Sequence, residues 1–155
     1  MAYLQSTLPM ILNRTLDSVM PVYRELFAKY DLTEQQWRIL RALWEAPEIR
    51  SADLAKQTLL PKPSLVGILD RLEARGLVER RRSETDRRNV SIASTAKGLA
   101  LAKEVLPQAD AIHRHIRSLI PDAEWAALEG ALATLNTAAT SMSLREITSS
   151  EIDRE

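Results

Sequence analysis

The sequence predicts a mainly α-helical chain that carries one small β-hairpin. Apolar residues recur at spacings of three and four over most of the chain, which is the period of amphipathic helices. Residues 77–82 and 88–93 are instead predicted as two short strands, because Val90 and Ile92 alternate with polar residues and turn-forming residues 83–87 join the segments. With 155 residues, 45% apolar and 27% charged, the composition is that of one globular unit.

The first helix is predicted from about residue 5 to residue 29. Pro21 should kink or break it, because proline lacks the N–H that a helix interior uses. Thr33 and Gln36 fit a capping box, so a second helix should begin there and stop before Pro47. The apolar stripe of the first helix consists of Leu8, Leu12, Leu16, Val19, Tyr23, Leu26, Phe27 and Tyr30.

Two further helices are predicted between residues 51 and 76. Ser51 should cap a short third helix, and Pro61–Ser64 should begin a fourth. Gly76 occupies the place where a left-handed C-cap is needed. Two helices joined by a sharp turn and followed by a hairpin form the winged helix-turn-helix arrangement.

The last third of the chain is predicted to be helical. Ser94 and Thr95 should cap a long helix that Pro107 interrupts or bends, and Pro121 should open another. The Ser, Thr and Glu content after residue 141 predicts a frayed tail. We therefore divide the chain into a winged helix-turn-helix domain (33–94), a helical dimerisation region (1–32 and 95–140) and a flexible tail (141–155).

Dimerisation is predicted because the apolar stripes of the terminal helices, on residues 8–30, 99–119 and 125–135, exceed what a small winged domain can cover. A two-fold dimer would place two recognition helices about 34 Å apart, one turn of DNA, and would require a pseudo-palindromic operator. A monomer that hides these stripes internally is the alternative.

The distribution of charge favours duplex DNA as the partner. The net charge is zero. This alone argues against nucleic acid as the partner, because Lys and Arg side chains that neutralise phosphates supply most of the non-specific affinity for DNA. Residues 50–88, however, contain ten basic and six acidic residues, so this segment carries four positive charges and the remainder four negative ones. A solvated face can produce such a run, but this one covers the predicted helix-turn-helix and hairpin.

The fourth helix is predicted to enter the major groove, which is about 12 Å wide, and its positive N-terminus favours phosphate. Gly67 weakens a helix by about 1 kcal/mol, which is consistent with close approach either to DNA or to a neighbouring helix. Asp70 is unfavourable near phosphate unless it binds cytosine or orients Arg71 or Arg75. The hairpin arginines suit a narrow minor groove, although an exposed ion-paired turn is the plain alternative. The predicted DNA-binding residues are Lys62, Pro63, Ser64, Gly67, Asp70, Arg71, Arg82, Asp86, Arg87 and Arg88.

Several other classes of protein are disfavoured. The chain has no cysteine, and His113 and His115 would point to roughly opposite helix faces, so neither a metal site nor another cofactor is predicted. There is no glycine-rich phosphate loop or recognisable nucleophile and base, which argues against an enzyme. No apolar run approaches the roughly 20 residues of a membrane span, and the start lacks a signal-peptide pattern, so we expect a cytoplasmic protein without membrane contact.

These motifs resemble the MarR family of bacterial transcription regulators over nearly the whole chain up to about residue 139. The resemblance rests on residues 31–38, 64–78 and 86–88 together with 95–98. It implies that Arg88 enters the minor groove with Asp86 as its partner, that Arg87 is on the phosphates, and that residues 62–71 face the major groove. Ser94 departs from the leucine usual in the family, which puts the packing at the end of the wing strand in doubt.

The resemblance also implies a repressor that releases DNA when a small, often aromatic, acid binds. Residues 33–38 are especially similar to repressors of homoprotocatechuate and related aromatic-acid catabolism. A pocket would draw aromatic surface from Trp37 or Trp44, and Arg14, Arg38 or Arg41 would bind the carboxylate. Core packing of the tryptophans and solvation of the arginines are the alternatives. Two other functions remain open, an effector-independent DNA binder and a winged-helix scaffold for protein interactions.

Overall fold

The structure, a computed structural model, describes residues 7–81 and 90–140 together with the backbone of Arg82. Within these residues the chain forms six helices and three strands, and none of these helices is long and apolar enough to cross a membrane. The elements are α1 (Leu8–Ala28), α2 (Glu34–Glu45), β1 (Glu48–Arg50), α3 (Ser51–Thr58), α4 (Lys62–Ala74), β2 (Val78–Arg82), β3 (Val90–Ser94), α5 (Ala96–Arg117) and α6 (Asp122–Ala139).

Helices α1 and α5 both continue through an internal proline. Pro21 lies inside α1 and Pro107 inside α5, so neither helix is broken at its proline. The other predicted effects, a kink at Pro21 and a bend at Pro107, stay predictions. Each proline removes only one hydrogen bond of a long helix, which the remaining turns tolerate. In α1 only Leu26 and Phe27 are buried, so its first turns project apolar side chains into solvent.

Helix α2 begins at the predicted capping box and passes through the core. The backbone N–H of Thr33 donates to Gln36 Oε1 (2.9 Å), and the N–H of Gln36 donates to Thr33 Oγ1 (3.2 Å). Both bonds satisfy backbone donors that have no partner inside the helix. The buried apolar side chains of α2 are Trp37, Ile39, Leu40 and Leu43.

The helix-turn-helix pair is α3 and α4. Ser51 is the first residue of α3 rather than its cap, because Arg50 holds the N-cap position at the end of a strand. In the turn, Leu59 adopts a left-handed conformation (φ 55°) with its side chain 81% exposed. Glycine usually takes such a place, because a β-carbon crowds the backbone there.

Helix α4 ends in a Schellman turn, as the sequence predicts from Gly76. Gly76 has φ 67°, and its N–H donates to the carbonyl of Glu73 (2.8 Å). The N–H of Leu77 donates to the carbonyl of Leu72 (3.0 Å). These bonds satisfy carbonyls at the helix end and turn the chain directly into β2.

The predicted hairpin forms part of a three-stranded antiparallel sheet with strand order β1-β3-β2. Ile49 of β1 and Arg80 of β2 both pair with Ile92 of β3, which is fully buried. The sequence missed β1, because three residues with one buried side chain are too few to establish alternation. On the exposed side, Arg81 pairs with Glu48 (2.8 Å), and Ser91 donates to Glu48 (2.5 Å).

Thr95 immediately precedes helix α5; its hydroxyl accepts from the N–H of Gly98 (3.0 Å) and donates to the carbonyl of Gly76 (2.7 Å). The predicted cap at this position is therefore confirmed. Gly98 is buried against the backbone: a β-carbon added there would lie 2.0 Å from the carbonyl oxygen of Leu77. The start of α5 thus requires glycine.

The chain separates into two compact units, residues 1–113 and 114–155. The first contains the hydrophobic core, which joins the ends of α1 and α2 to the helix-turn-helix, the sheet and the buried side of α5. The second contains the end of α5 and all of α6, where Arg117 lies over the ring of Trp125 at 5.8 Å. The predicted tail at residues 141–155 lies outside the described residues.

Candidate DNA interface and effector pocket

The N-terminal half of α4 presents the predicted recognition residues on one exposed side. Leu65, Ile68, Leu69 and Leu72 are buried and anchor the helix in the core. Its other side therefore faces solvent, and Gly67 there is half-buried. The exposed predicted residues of α4 are Lys62, Pro63, Ser64, Asp70 and Arg71. Val66 is not among the predicted contact residues, but it is 56% exposed on this helix and offers an apolar contact.

Two helix N-termini lie beside an open cleft. In the described part of the chain, no side chain caps the start of α3 or of α4, so their first N–H groups remain available for an anion. Two cations line the same cleft, Lys62 and Arg50, and Arg50 pairs there with Asp53 (2.9 Å). Its volume is about 430 Å³, and it is lined by Arg50, Ser51, Ala52, Asp53, Lys62, Leu65, Val66 and Val90.

Asp70 is paired with Arg80 of β2, not with Arg71 or Arg75 as the sequence suggested. Arg80 Nη2 contacts Asp70 Oδ1 at 2.6 Å, and Arg80 Nη1 contacts Glu73 Oε2 at 2.5 Å. Burial lowers the pKa of Arg80, but its hydrogen bonds with the two carboxylates outweigh this and leave the pKa raised. The pairing partly offsets the charge of Asp70 on the exposed side of α4, although Arg80 is shared with Glu73, and it ties that helix to the hairpin.

Arg75 serves the fold instead of orienting Asp70. Its guanidinium donates to the backbone carbonyls of Asp31 (2.5 Å) and Tyr30 (3.1 Å). It thereby links the end of α4 to the turn after α1, and these bonds satisfy carbonyls at a helix end.

The predicted wing-tip residues Asp86, Arg87 and Arg88 lie outside the described residues, as does the side chain of Arg82. The backbone of Arg82 pairs with Val90, the last register position between β2 and β3. The predicted contacts of Arg82, Asp86, Arg87 and Arg88 with DNA stay predictions.

Of the predicted effector residues, Arg38 and Arg41 line one open depression beside α2. Its volume is about 490 Å³, and Ala42, Glu45, Ala46, Gln57 and Thr58 complete the lining. Arg38 pairs with Glu34, and its Nη1 donates to the carbonyl of Thr58 (3.3 Å). Two guanidinium groups at one opening suit a carboxylate ligand.

Arg41 already holds two carboxylates. Its Nε contacts Glu45 Oε1 at 2.9 Å, and its Nη1 contacts Asp110 Oδ1 of α5 at 3.1 Å. Burial lowers the pKa of Arg41, but the hydrogen bonds with Glu45 and Asp110 more than compensate and raise it. The guanidinium is therefore permanently charged and shared between α2 and α5.

The structure does not bring Trp37 or Arg14 to this depression. Trp37 is 8% exposed and its ring stacks on Phe27 at 5.5 Å, because it lies on the core side of α2. Trp44 is partly buried and packs against the same core. Arg14 lies on the exposed part of α1.

Known proteins resemble this chain in sequence and in fold. Residues 30–89 match the MarR family. The homoprotocatechuate degradative operon repressor of Escherichia coli is 36% identical over 115 residues, which cover 74% of this chain and 78% of that protein. The structure of NadR in complex with 4-hydroxyphenylacetate superposes with a TM-score of 0.72 and 33% identity, covering 84% of this chain and 92% of that one.

A solved complex with nucleic acid is also similar. The transcriptional repressor CouR, bound to a 23-mer DNA duplex, has a TM-score of 0.76 and 29% identity, covering 86% of this chain and 94% of that one. The names of these proteins describe regulators rather than enzymes. The sequence match, the winged helix-turn-helix fold and the exposed α4 agree, and the chain is a transcriptional regulator of the MarR family.

Proposed function

We propose that this chain acts in the cytoplasm as a homodimeric repressor that binds a pseudo-palindromic DNA operator and releases it when a small aromatic acid binds. The observation that carries the proposal is the exposed side of α4, which is anchored in the core by four leucine and isoleucine side chains and has an uncapped N-terminus. A rigid helix with this end free suits insertion into a major groove.

The contacts proposed for DNA divide into two kinds. Lys62 and the helix N-terminus are suited to phosphate, because both offer positive charge at the surface. Ser64, Val66 and Arg71 are suited to base edges, by hydrogen bonds and by contact with a thymine methyl group. Arg80 pairs with Asp70 and with Glu73, so it offsets part of the negative charge that Asp70 presents to phosphate on this helix face. The similarity to CouR, a repressor solved on a DNA duplex, supports duplex DNA as the partner.

A second copy of the chain is the proposed partner of the exposed apolar helices. None of the residues of α6, all of which the structure describes, is buried, although Leu128, Leu132 and Leu135 form a helical stripe. The start of α1 exposes apolar side chains in the same way, including Leu8 and Leu12. Exposed apolar stripes of this length mark interaction surfaces, and a dimer matches a palindromic operator.

The proposed effector site is the depression lined by Arg38 and Arg41. Both arginines come from α2, and Arg38 reaches Thr58 at the end of α3, so an anion bound here contacts the helix-turn-helix directly. The name of the E. coli relative and the ligand of NadR support an aromatic carboxylate as the effector. A ligand that prefers the DNA-free conformation would shift the population by its differential affinity.

Selection of bound duplexes from a random pool tests the DNA proposal, and Arg88→Ala tests the wing. We expect a palindromic consensus, strong salt dependence and a loss of affinity of about 1–3 kcal/mol for Arg88→Ala, the range of one good DNA contact. Fluorescence anisotropy measures the binding. Lys103→Ala, which removes one exposed positive charge from α5, is the control and should bind as the wild type does. Equal affinities of wild type and Arg88→Ala would refute the wing assignment.

Gly67→Ala separates folding stability from DNA binding. A β-carbon at Gly67 meets nothing within 4 Å in the protein, so the substitution should stabilise α4 by about 0.5–1 kcal/mol, the usual gain of alanine over glycine in a helix. The open space rules out the alternative that Gly67 is needed for tight packing against a neighbouring helix. If its role is close approach to DNA, operator affinity should fall while the urea midpoint rises. Unchanged affinity would remove Gly67 from the interface.

A further inference from the structure

Arg41, one of the two arginines that line the effector depression, is paired with a carboxylate that lies outside the lining. Asp110 Oδ1 lies 3.1 Å from Arg41 Nη1, and this ion pair joins α2 to the long helix α5. Both side chains are partly exposed, 39% for Arg41 and 44% for Asp110, so solvent and small ions reach them. An aromatic acid entering the depression therefore meets a guanidinium that is already engaged.

We infer that Asp110 competes with the effector's carboxylate for Arg41 and so sets both the affinity and the acid selectivity of the effector site. The inference rests on the proposed function, because it concerns the same depression. A guanidinium presents five donors in a planar fork. Glu45 accepts from Nε and Asp110 from Nη1. A carboxylate that binds either side-on to Nε and Nη2 or end-on to Nη1 and Nη2 therefore shares a nitrogen with one of these partners and competes with it for the same positive charge.

Asp110 is the partner expected to leave, because its contact spans two elements. Glu45 and Arg41 are four residues apart on one helix and stay neighbours whatever α5 does. Burial, and after it the negative charge of Asp110, raises the pKa of Tyr23 on α1. Asp110 therefore interacts with groups of two other elements, whereas Glu45 pairs with Arg41 within its own helix.

The exchange would give effector binding a mechanical consequence. Arg41 belongs to the segment predicted as the DNA-binding domain, and Asp110 to the segment predicted as the dimerisation region. Their ion pair therefore ties the two regions together, while Arg38 ties the same side of α2 to Thr58 at the helix-turn-helix. An effector carboxylate that binds Arg41 in place of Asp110 breaks the contact between the two regions. The same carboxylate also lies beside Arg38, which donates to Thr58. Asp110 is thus a positioning residue that acts through Arg41.

Asp110→Asn tests the inference with 4-hydroxyphenylacetate as the probe and its uncharged primary amide as the comparison. The full-length variant should bind the acid about 2- to 5-fold more tightly than the wild type, which corresponds to one partly exposed ion pair. Binding of the amide should not change, because an amide does not compete for the charge. Isothermal titration calorimetry measures both affinities, and Asp110→Glu should restore the acid-to-amide ratio of the wild type.

Glu104→Gln is the matched control, because it removes one exposed carboxylate from the same helix. An equal gain in this control would overturn the inference, since the cause would then be net charge. A parallel gain for acid and amide would also overturn it, because repacking and not competition would explain it. If the wild type binds the acid and Asp110→Asn binds it no more tightly, the inference is overturned but the effector proposal stands. Failure of both proteins to bind the acid overturns the effector proposal together with it.

Discussion

Replacement of Gly98 by alanine should destabilise the protein by at least about 3 kcal/mol, the upper part of the range for over-packing a core. The added β-carbon would lie 2.0 Å from the carbonyl oxygen of Leu77 and 3.0 Å from its carbonyl carbon. These are backbone atoms, so no side-chain rotation relieves the clash. Either α5 moves away from the start of the hairpin or the turn before β2 opens.

Neither movement is cheap, because the Leu77 backbone is held from both sides. Its N–H donates to Leu72 in the Schellman turn, its carbonyl accepts from Thr95 (3.2 Å), and its side chain is 1% exposed. Shifting it would cost hydrogen bonds as well as buried contact.

Urea unfolding followed by circular dichroism measures the effect of Gly98→Ala. Gly67→Ala is the matched control, since it makes the same substitution in a helix where the new methyl group meets open space. The control should unfold at the same or a higher urea concentration than the wild type, and Gly98→Ala at a much lower one. A shared midpoint for Gly98→Ala and the wild type would mean that α5 does not approach Leu77 so closely.

The features predicted most accurately from sequence are those determined over a few residues. The capping box at Thr33 and the left-handed turn at Gly76 each depend on bonds that span three to five positions, so residue type alone indicates them. The helix-turn-helix and the hairpin were predicted because several local caps and turns follow one another along the chain. Strand β1 was missed because it exists only through pairing with β3, more than forty residues away.

The site shows the same division between local and distant information. The exposed positions of α4 were predictable, because helical spacing separates them from the buried Leu65 and Leu69. The partner of Asp70 was not, since Arg80 lies ten residues away on a strand whose pairing orients it. Trp37 was assigned to a ligand pocket from the family resemblance and its aromatic side chain, but the side of α2 that faces Phe27 is determined by the packing of α1.

The double substitution Leu128→Glu and Leu132→Glu should convert the proposed dimer into monomers. These leucines are 44% and 37% exposed on the stripe of α6, where a second copy would bury them. A two-fold interface would then contain four unpaired carboxylates, each of which costs several kcal/mol to desolvate. We expect the dimer dissociation constant to rise at least about 100-fold, measured by sedimentation velocity.

Operator binding should weaken when the dimer is lost, and the salt dependence of binding should show that loss of the dimer is the cause. A monomer contacts one half-site and neutralises about half as many phosphates, so the slope of log affinity against log salt should fall to about half. A variant that merely unfolds would lose binding without retaining helical circular dichroism. Thr134→Glu, on the other side of α6 by helical spacing, should keep both the dimer and the full slope.

Two results would contradict the proposed interface in different ways. A wild-type mass of one chain at micromolar concentration would remove the dimer itself, and the exposed stripes would then need another partner. A dimeric double variant with an unchanged salt slope would keep the dimer but exclude Leu128 and Leu132 from its interface. In that case the exposed start of α1, with Leu8 and Leu12, would be the remaining apolar surface on which two copies meet.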